Sequence, residues 1–181
     1  MRELALHILD LLQNAVEAGA SRVILRVDED RVGEVLNIRV MDNGRGMDAR
    51  TVVQALDPFY TTRTTRHVGL GLPLLAAAAE RAGGALDIHS RPGEGTTVEV
   101  SFRISHPDRQ PMGDLTGTLL AFLLSARAPG LDYSHRVGSL TFEFHTDELH
   151  AALEGLPLSH PAVQRWLVDY LTEGESLLAA G

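Results

Sequence analysis

The chain has 181 residues, 44% of them hydrophobic, which suffices for one domain with an appendage, or two small ones, burying a core without staples. It has no cysteine, which excludes disulfides, thiolate metal sites and cysteine nucleophiles, and its net charge of -8 argues against a broad nucleic-acid surface. All 16 basic residues are arginine, so a Walker-type phosphate loop, a kinase strand lysine and Schiff-base chemistry are excluded too.

The N-terminal stretch MRELALHILDLLQNAVEAGAS carries acids, Gln and Asn within its apolar periodicity, unlike a signal peptide. Residues 2–18 read as an amphipathic helix with Leu4, Ile8, Leu11 and Ala15 on one stripe and His7, Asp10, Asn14 and Glu17 on another face. Gly19 is the stop. Residues 21–28 and 35–41 alternate as a hairpin that delivers Asp42 to a strand end. Asp48 is placed to cap a short helix over 49–56. After the polar segment DPFYTTRTTRHV comes a helix over 70–82, closed by Gly83-Gly84, and then a hairpin built from ALDIHSR and TTVEVSFRI around PGEG.

Composition shifts at SHPDRQPMGD, residues 105–114, which marks a boundary. Beyond it lie an apolar helix over 115–126 and a hairpin in LDYSHRVGSLTFEFHT with Leu140, Phe142 and Phe144 on one face. Ser159 and Pro161 open a final helix bearing Val163, Trp166, Leu167 and Tyr170. No run is long enough to span a bilayer, so no membrane partner and a cytoplasmic location are expected. These last elements are read as completing a core, with a docking or homodimer surface as the alternative.

Three groups carry candidate chemistry. Asp10 and Asn14 lie four apart on one helix face; a carboxylate can orient a water or hydroxyl, and an amide oxygen suits Mg2+. Asp42, followed by Gly44 and Gly46, can accept from an exocyclic amine such as that of adenine. DNG is also a common hairpin turn, and residues 44–49 match the G-x-G-x-x-A dinucleotide fingerprint, which the preceding hairpin argues against. Gly69 and Gly71 precede a helix whose free N–H groups favour phosphate. Arg63 and Arg66 would add charge there, and Thr61, Thr62, Thr64 and Thr65 hydroxyls.

In this order the motifs resemble the ATP-binding domain shared by histidine kinases, the gyrase B subunit, MutL and the large heat-shock chaperone, the GHKL family or Bergerat fold. LDLLQNAVEAGAS resembles the N box, DNGRGM the first glycine box, DPFYTTRT the kinase F box and lid, GLGLPLL the second glycine box, and GEGTTVEVSF the closing strand. The resemblance covers roughly residues 1–104. It implies a two-layer α/β sandwich, a mixed, largely antiparallel sheet with helices on one face, with residues 105–181 as a small α+β extension.

It further implies ATP and Mg2+ as ligands. Asn14 would hold the metal, Asp42 the adenine amine, and Thr96 would support it through water. Gly44, Gly46, Met47, Gly69, Leu70, Gly71 and Leu72 would wrap the nucleotide, with Phe59, Thr62 and Arg63 contributed by the F box and lid. Asp10 stands where many relatives have a catalytic Glu, one methylene longer. NAVEAGAS is similar to the MutL and gyrase version, whereas PFYTTRT and GLGLPLL look like a histidine kinase. The chain starts almost at the N box, leaving no room for a helical hairpin bearing a phosphoacceptor histidine. Phosphotransfer to a separate protein in bacterial signalling is therefore expected, with a nucleotide-gated, anti-sigma-like module or an ATPase as alternatives. The stand-alone layout also looks like small ATP-binding proteins encoded beside iron-hydrogenase genes, which implies redox-linked regulation.

Overall fold

A computed structural model describes residues 3–57 and 71–179. Helix α1 (Leu4–Glu17) buries Leu4, Ile8, Leu11, Leu12 and Ala15 along one stripe. It stops because Gly19 takes φ 73°, which lets Gly19 N–H reach Val16 O and Ala20 N–H reach Ala15 O, a Schellman closure. Strands β1 (Arg22–Asp30) and β2 (Val35–Asp42) follow as an antiparallel pair. Asp48 caps α2 (Ala49–Ala55), accepting from Thr51 N–H at 2.7 Å. Helix α3 (Gly71–Arg81), β3 (Leu86–Arg91) and β4 (Gly95–Arg103) come next.

Residues 115–179 supply α4 (Leu115–Leu123), β5 (Gly130–Val137), β6 (Leu140–His145), α5 (Thr146–Ala152) and α6 (Pro161–Ala179). Their strands join the same sheet, whose order is β3-β4-β2-β1-β5-β6. β1 is interior and pairs with β5 in parallel, from Arg22 opposite Gly130 to Glu29 opposite Val137. Every other pairing is antiparallel.

The strand alternation separates two faces. Val23, Leu25 and Val27 of β1, Leu36, Ile38 and Val40 of β2, Val100 and Phe102 of β4, and Leu131 and Tyr133 of β5 are buried. They meet Leu12 of α1, Ala79 of α3, Leu119 of α4 and Leu167 and Leu171 of α6 in one core. The helices stand side by side in the order α3, α1, α4, α6. The opposite face is polar, with Arg39 paired to Glu99 at 2.8 Å, Arg22 to Asp132 at 2.6 Å, and Arg136 to Asp28. Such exposed pairs add little stability, but they keep the uncovered face hydrophilic. The protein is thus a two-layer α/β sandwich with a mixed, largely antiparallel sheet and helices on one face. Among the described residues, no helix is long and apolar enough to cross a membrane.

Candidate nucleotide-binding site

At one end of the sheet the end of α1, the 42–48 loop and the β3–β4 turn close on one another. The loop begins with Asn43, whose Oδ1 accepts from Ser21 N–H and Arg22 N–H, both at 2.9 Å, while its Nδ2 donates to Ser21 Oγ. Asn43 therefore ties the loop to the start of β1. Arg45 continues the bridge: its N–H donates to Ala18 O at 2.9 Å, and its carbonyl accepts from Gly93 N–H at 2.8 Å.

Ser90 of β3 joins the loop to the β3–β4 turn. Met47 N–H donates to Ser90 Oγ at 2.8 Å, and that hydroxyl also lies 2.9 Å from Gly95 O and from Thr96 Oγ1. Two glycines make this closure sterically feasible. Gly46 has φ 64° and Gly95 φ 96°, and a Cβ on either would overlap a carbonyl, that of Arg91 or of Asp42 respectively. Gly44 is packed comparably, since a Cβ there would lie 2.7 Å from the Ala18 methyl.

Asp42, the last residue of β2, sits opposite Thr96 in the sheet register. Its Oδ1 accepts from Gly44 N–H at 2.8 Å. Burial pushes its pKa above the usual carboxylate value, opposed by the backbone N–H groups of Gly44 and Thr96. Asp42, Ala49, Val52, Ile88, Ser90 and Thr96 line a cleft of about 500 Å³, within the usual range of about 300–1,000 Å³ for small-molecule sites.

Asp10 and Asn14 are half-buried, one turn apart on α1. The Asp10 carboxylate lies directly against Gly71, the first residue of α3, where any added Cβ would overlap it. A negative group at this helix end is favoured by the free N–H groups and the helix dipole. Leu72 packs against the core. Among the described residues no three His, Asp or Glu side chains converge as a metal cage. The donors present, one carboxylate and one amide oxygen, suit a hard cation that takes few protein ligands and completes its shell with water and phosphate.

The structure thus brings Asp42, Gly44, Gly46, Met47 and Thr96 into one hydrogen-bonded closure and sets Asp10 at the head of α3 beside Gly71. Phe59, Thr62, Arg63, Gly69 and Leu70 lie outside the described residues. Asn43, Ser90 and Gly95 were not foreseen as site residues. Asn43 stood inside a quoted motif, and Gly95 in a turn; a serine in a strand carried no signal. His7, on the same helix as Asp10, is only 3% exposed. Burial lowers its pKa, opposed by a side-chain hydrogen bond with Gln110.

Comparison with known proteins agrees with this architecture. The profile of the histidine kinase-, DNA gyrase B- and HSP90-like ATPases matches residues 2–106. The non-motile and phage-resistance protein of Caulobacter vibrioides is 33% identical over 112 residues, covering 57% of this chain and 13% of that protein. The nitrogen regulation protein NtrY of Azorhizobium caulinodans is 32% identical over 112 residues, 56% of this chain and 14% of its own length. The cell-division control histidine kinase PdhS of Brucella anthropi is 37% identical over 109 residues, 52% of this chain and 10% of that one. The chain therefore spans about one seventh or less of the length of these curated relatives. Full-length ShkA, solved in complex with AMPPNP, aligns with 54% of this chain and 20% of its own at a TM-score of 0.46 and 23% identity. The chain belongs to the family of histidine kinase-, DNA gyrase B- and HSP90-like ATPases and carries a histidine-kinase-like ATP-binding domain, the match running over residues 2–106.

Proposed function

We propose that the protein binds Mg-ATP where α1, the 42–48 loop and the β3–β4 turn meet, and transfers the γ-phosphate to a separate acceptor protein in bacterial signalling. The reading rests first on Asp42. Two backbone N–H groups face its carboxylate, leaving part of its roughly four acceptor positions for an exocyclic amine. Thr96, hydrogen-bonded to Ser90, would hold a water beside that amine. Bound Mg2+ would neutralise charge on the transferring phosphates, and Asn14 is the residue that would hold it.

Asp10 would orient the incoming nucleophile and accept its proton as the bond from the γ-phosphorus to the leaving oxygen breaks. Its carboxylate reaches one methylene less far than a glutamate, which weakens activation of free water relative to a docked acceptor group. A separate acceptor is also supported by His7, whose buried ring makes it inaccessible on α1.

The experiment is incubation of the protein with γ-labelled Mg-ATP, alone and with extract of its own cells, following bound nucleotide, free phosphate and labelled protein together. Label on an extract protein is expected. Free phosphate alone would replace the transfer reading with an ATPase, and tight binding without turnover with a nucleotide-gated module. Asp42→Asn is expected to weaken ATP binding by at least about tenfold, the cost of turning one acceptor of a buried hydrogen bond into a donor. Asn14→Ala is expected to abolish the Mg2+ dependence of binding; unchanged dependence would remove the metal assignment.

A further inference from the structure

The core-side face of the sheet changes character in its last row at the candidate site. Along β2 and β4 it carries Val40 and Val98, both buried. One step further, strand alternation brings Asp42, Thr96 and Ser90 to the same face. They stand directly opposite one another across three strands, Asp42 against Thr96 and Thr96 against Ser90. All three line the cleft.

Ser90 lies at the end of this row farther from Asp42, and its hydroxyl is used to capacity. A serine hydroxyl donates once and accepts twice. Met47 N–H donates to it at 2.8 Å. Its own hydrogen goes to Gly95 O at 2.9 Å, since a hydrogen turned elsewhere would leave two oxygens facing each other at that distance with nothing between them. The remaining contact, 2.9 Å to Thr96 Oγ1, then takes its hydrogen from Thr96. These three bonds exhaust Ser90 and also fix Thr96, whose one hydroxyl hydrogen points along the row, away from Asp42. Towards the cleft Thr96 Oγ1 is left with lone pairs alone.

We propose, resting on the Mg-ATP reading above, that Ser90 is a positioning residue for base recognition: it sets the direction of the Thr96 hydroxyl, so that this oxygen meets the ligand side only as an acceptor. A water held by Thr96 then donates one hydrogen to it and has the other for the base, which has to answer with an acceptor. A ring nitrogen beside the exocyclic amine is such an acceptor. Asp42 takes a hydrogen from the amine and the water gives one to the neighbouring nitrogen, matching the donor and acceptor that adjoin on a purine edge. Without Ser90 the Thr96 hydroxyl turns freely and the water loses its fixed orientation. The ring-nitrogen contact is lost, while Asp42 keeps the Gly44 and Thr96 N–H groups that hold its carboxylate.

The test compares binding of Mg-ATP to the full chain, by calorimetry, with binding of its 1-deaza and 7-deaza analogues, each of which replaces one ring nitrogen beside the amine by C–H. The wild type is expected to bind one of the two about fivefold more weakly than ATP, the worth of one neutral hydrogen bond. In Ser90→Ala that difference is expected to vanish. The variant also releases Met47 N–H, but a loosened loop weakens ATP and analogue alike, so their ratio separates positioning from loop stability. Ser90→Thr, which keeps the hydroxyl, is expected to keep the ratio of the wild type. Thr96→Val is expected to abolish the difference, and Ser90→Ala added to it to change the ratio no further. An unaltered ratio in Ser90→Ala, or equal binding of ATP and both analogues by the wild type, would overturn the proposal and leave the nucleotide site standing. No binding of ATP by the wild type would overturn the nucleotide reading itself, and the proposal with it.

Discussion

Asn43 carries more of the site than its place in a turn motif suggests. It accepts from Ser21 N–H and Arg22 N–H and donates to Ser21 Oγ. Asn43→Ala leaves two backbone donors to water and is expected to cost about 1 kcal/mol, the usual worth of exposed hydrogen bonds of this kind. The urea midpoint measures that loss, and nucleotide affinity should fall with it because Asp42 is the neighbouring residue. Gly46→Ala is expected to be worse. The left-handed conformation alone costs a side chain about 1–2 kcal/mol, and here the new methyl also meets the Arg91 carbonyl, backbone that cannot swing aside. A variant of wild-type stability and affinity would show that the 42–48 loop tolerates movement away from β3. Neither role was legible in the sequence. DNGRGM was readable as a glycine loop at a strand end, but the groups it closes upon are distant along the chain.

Among the elements, α6 is joined to the sheet by a buried charge cluster. Glu175 accepts from Tyr133 Oη at 2.5 Å and lies 2.7 Å from His135 Nδ1. Glu29 of β1 stands 3.5 Å from the other ring nitrogen, an ion-pair distance. Burial opposes charge on His135, but the two carboxylates outweigh it and its pKa is pushed up to about 9. His135 thus keeps its proton in the folded state well above the ordinary histidine value of 6.5. Its contribution is complete below 6.5 and is lost as pH rises through about 9. Chemical denaturation across that window should give falling stability for the wild type and a flatter profile for His135→Gln. Equal slopes would mean that His135 is not the titrating group. The boundaries of α1, α2, α3 and all three hairpins were legible to within a few residues, because Gly19, Asp48 and the alternating runs act locally. The attachment of α6 was not, since Glu175 and His135 are 40 residues apart and no period or cap relates them.

At the level of the whole molecule, the composition break at 105–114 lies within a continuous body. β5 pairs with β1 along its length, and α4 packs against α1. Parallel pairing between segments so far apart leaves no short-range pattern, which is why the sheet order escaped the sequence although each strand was recognised. Removing residues 105–181 would uncover the β1 edge and strip Leu119, Phe122, Leu131 and Tyr133 from the core. The fragment 1–104 is expected to lose cooperative unfolding or to aggregate, measured by thermal circular dichroism and light scattering. A fragment as stable as the full chain would make the later elements an independent appendage.

The pairing of β1 with β5 also sets an order of assembly. Arg22 is linked to Asp132 across 110 positions of sequence, which at about 5–20 residues per second of synthesis is a delay on the order of ten seconds. During that interval β1 is an edge strand, with β2 on one side and nothing on the other, and Asn43 is fastened to that open edge. The end of the protein that carries the candidate nucleotide site is therefore among the first parts to be made and among the last to become firm.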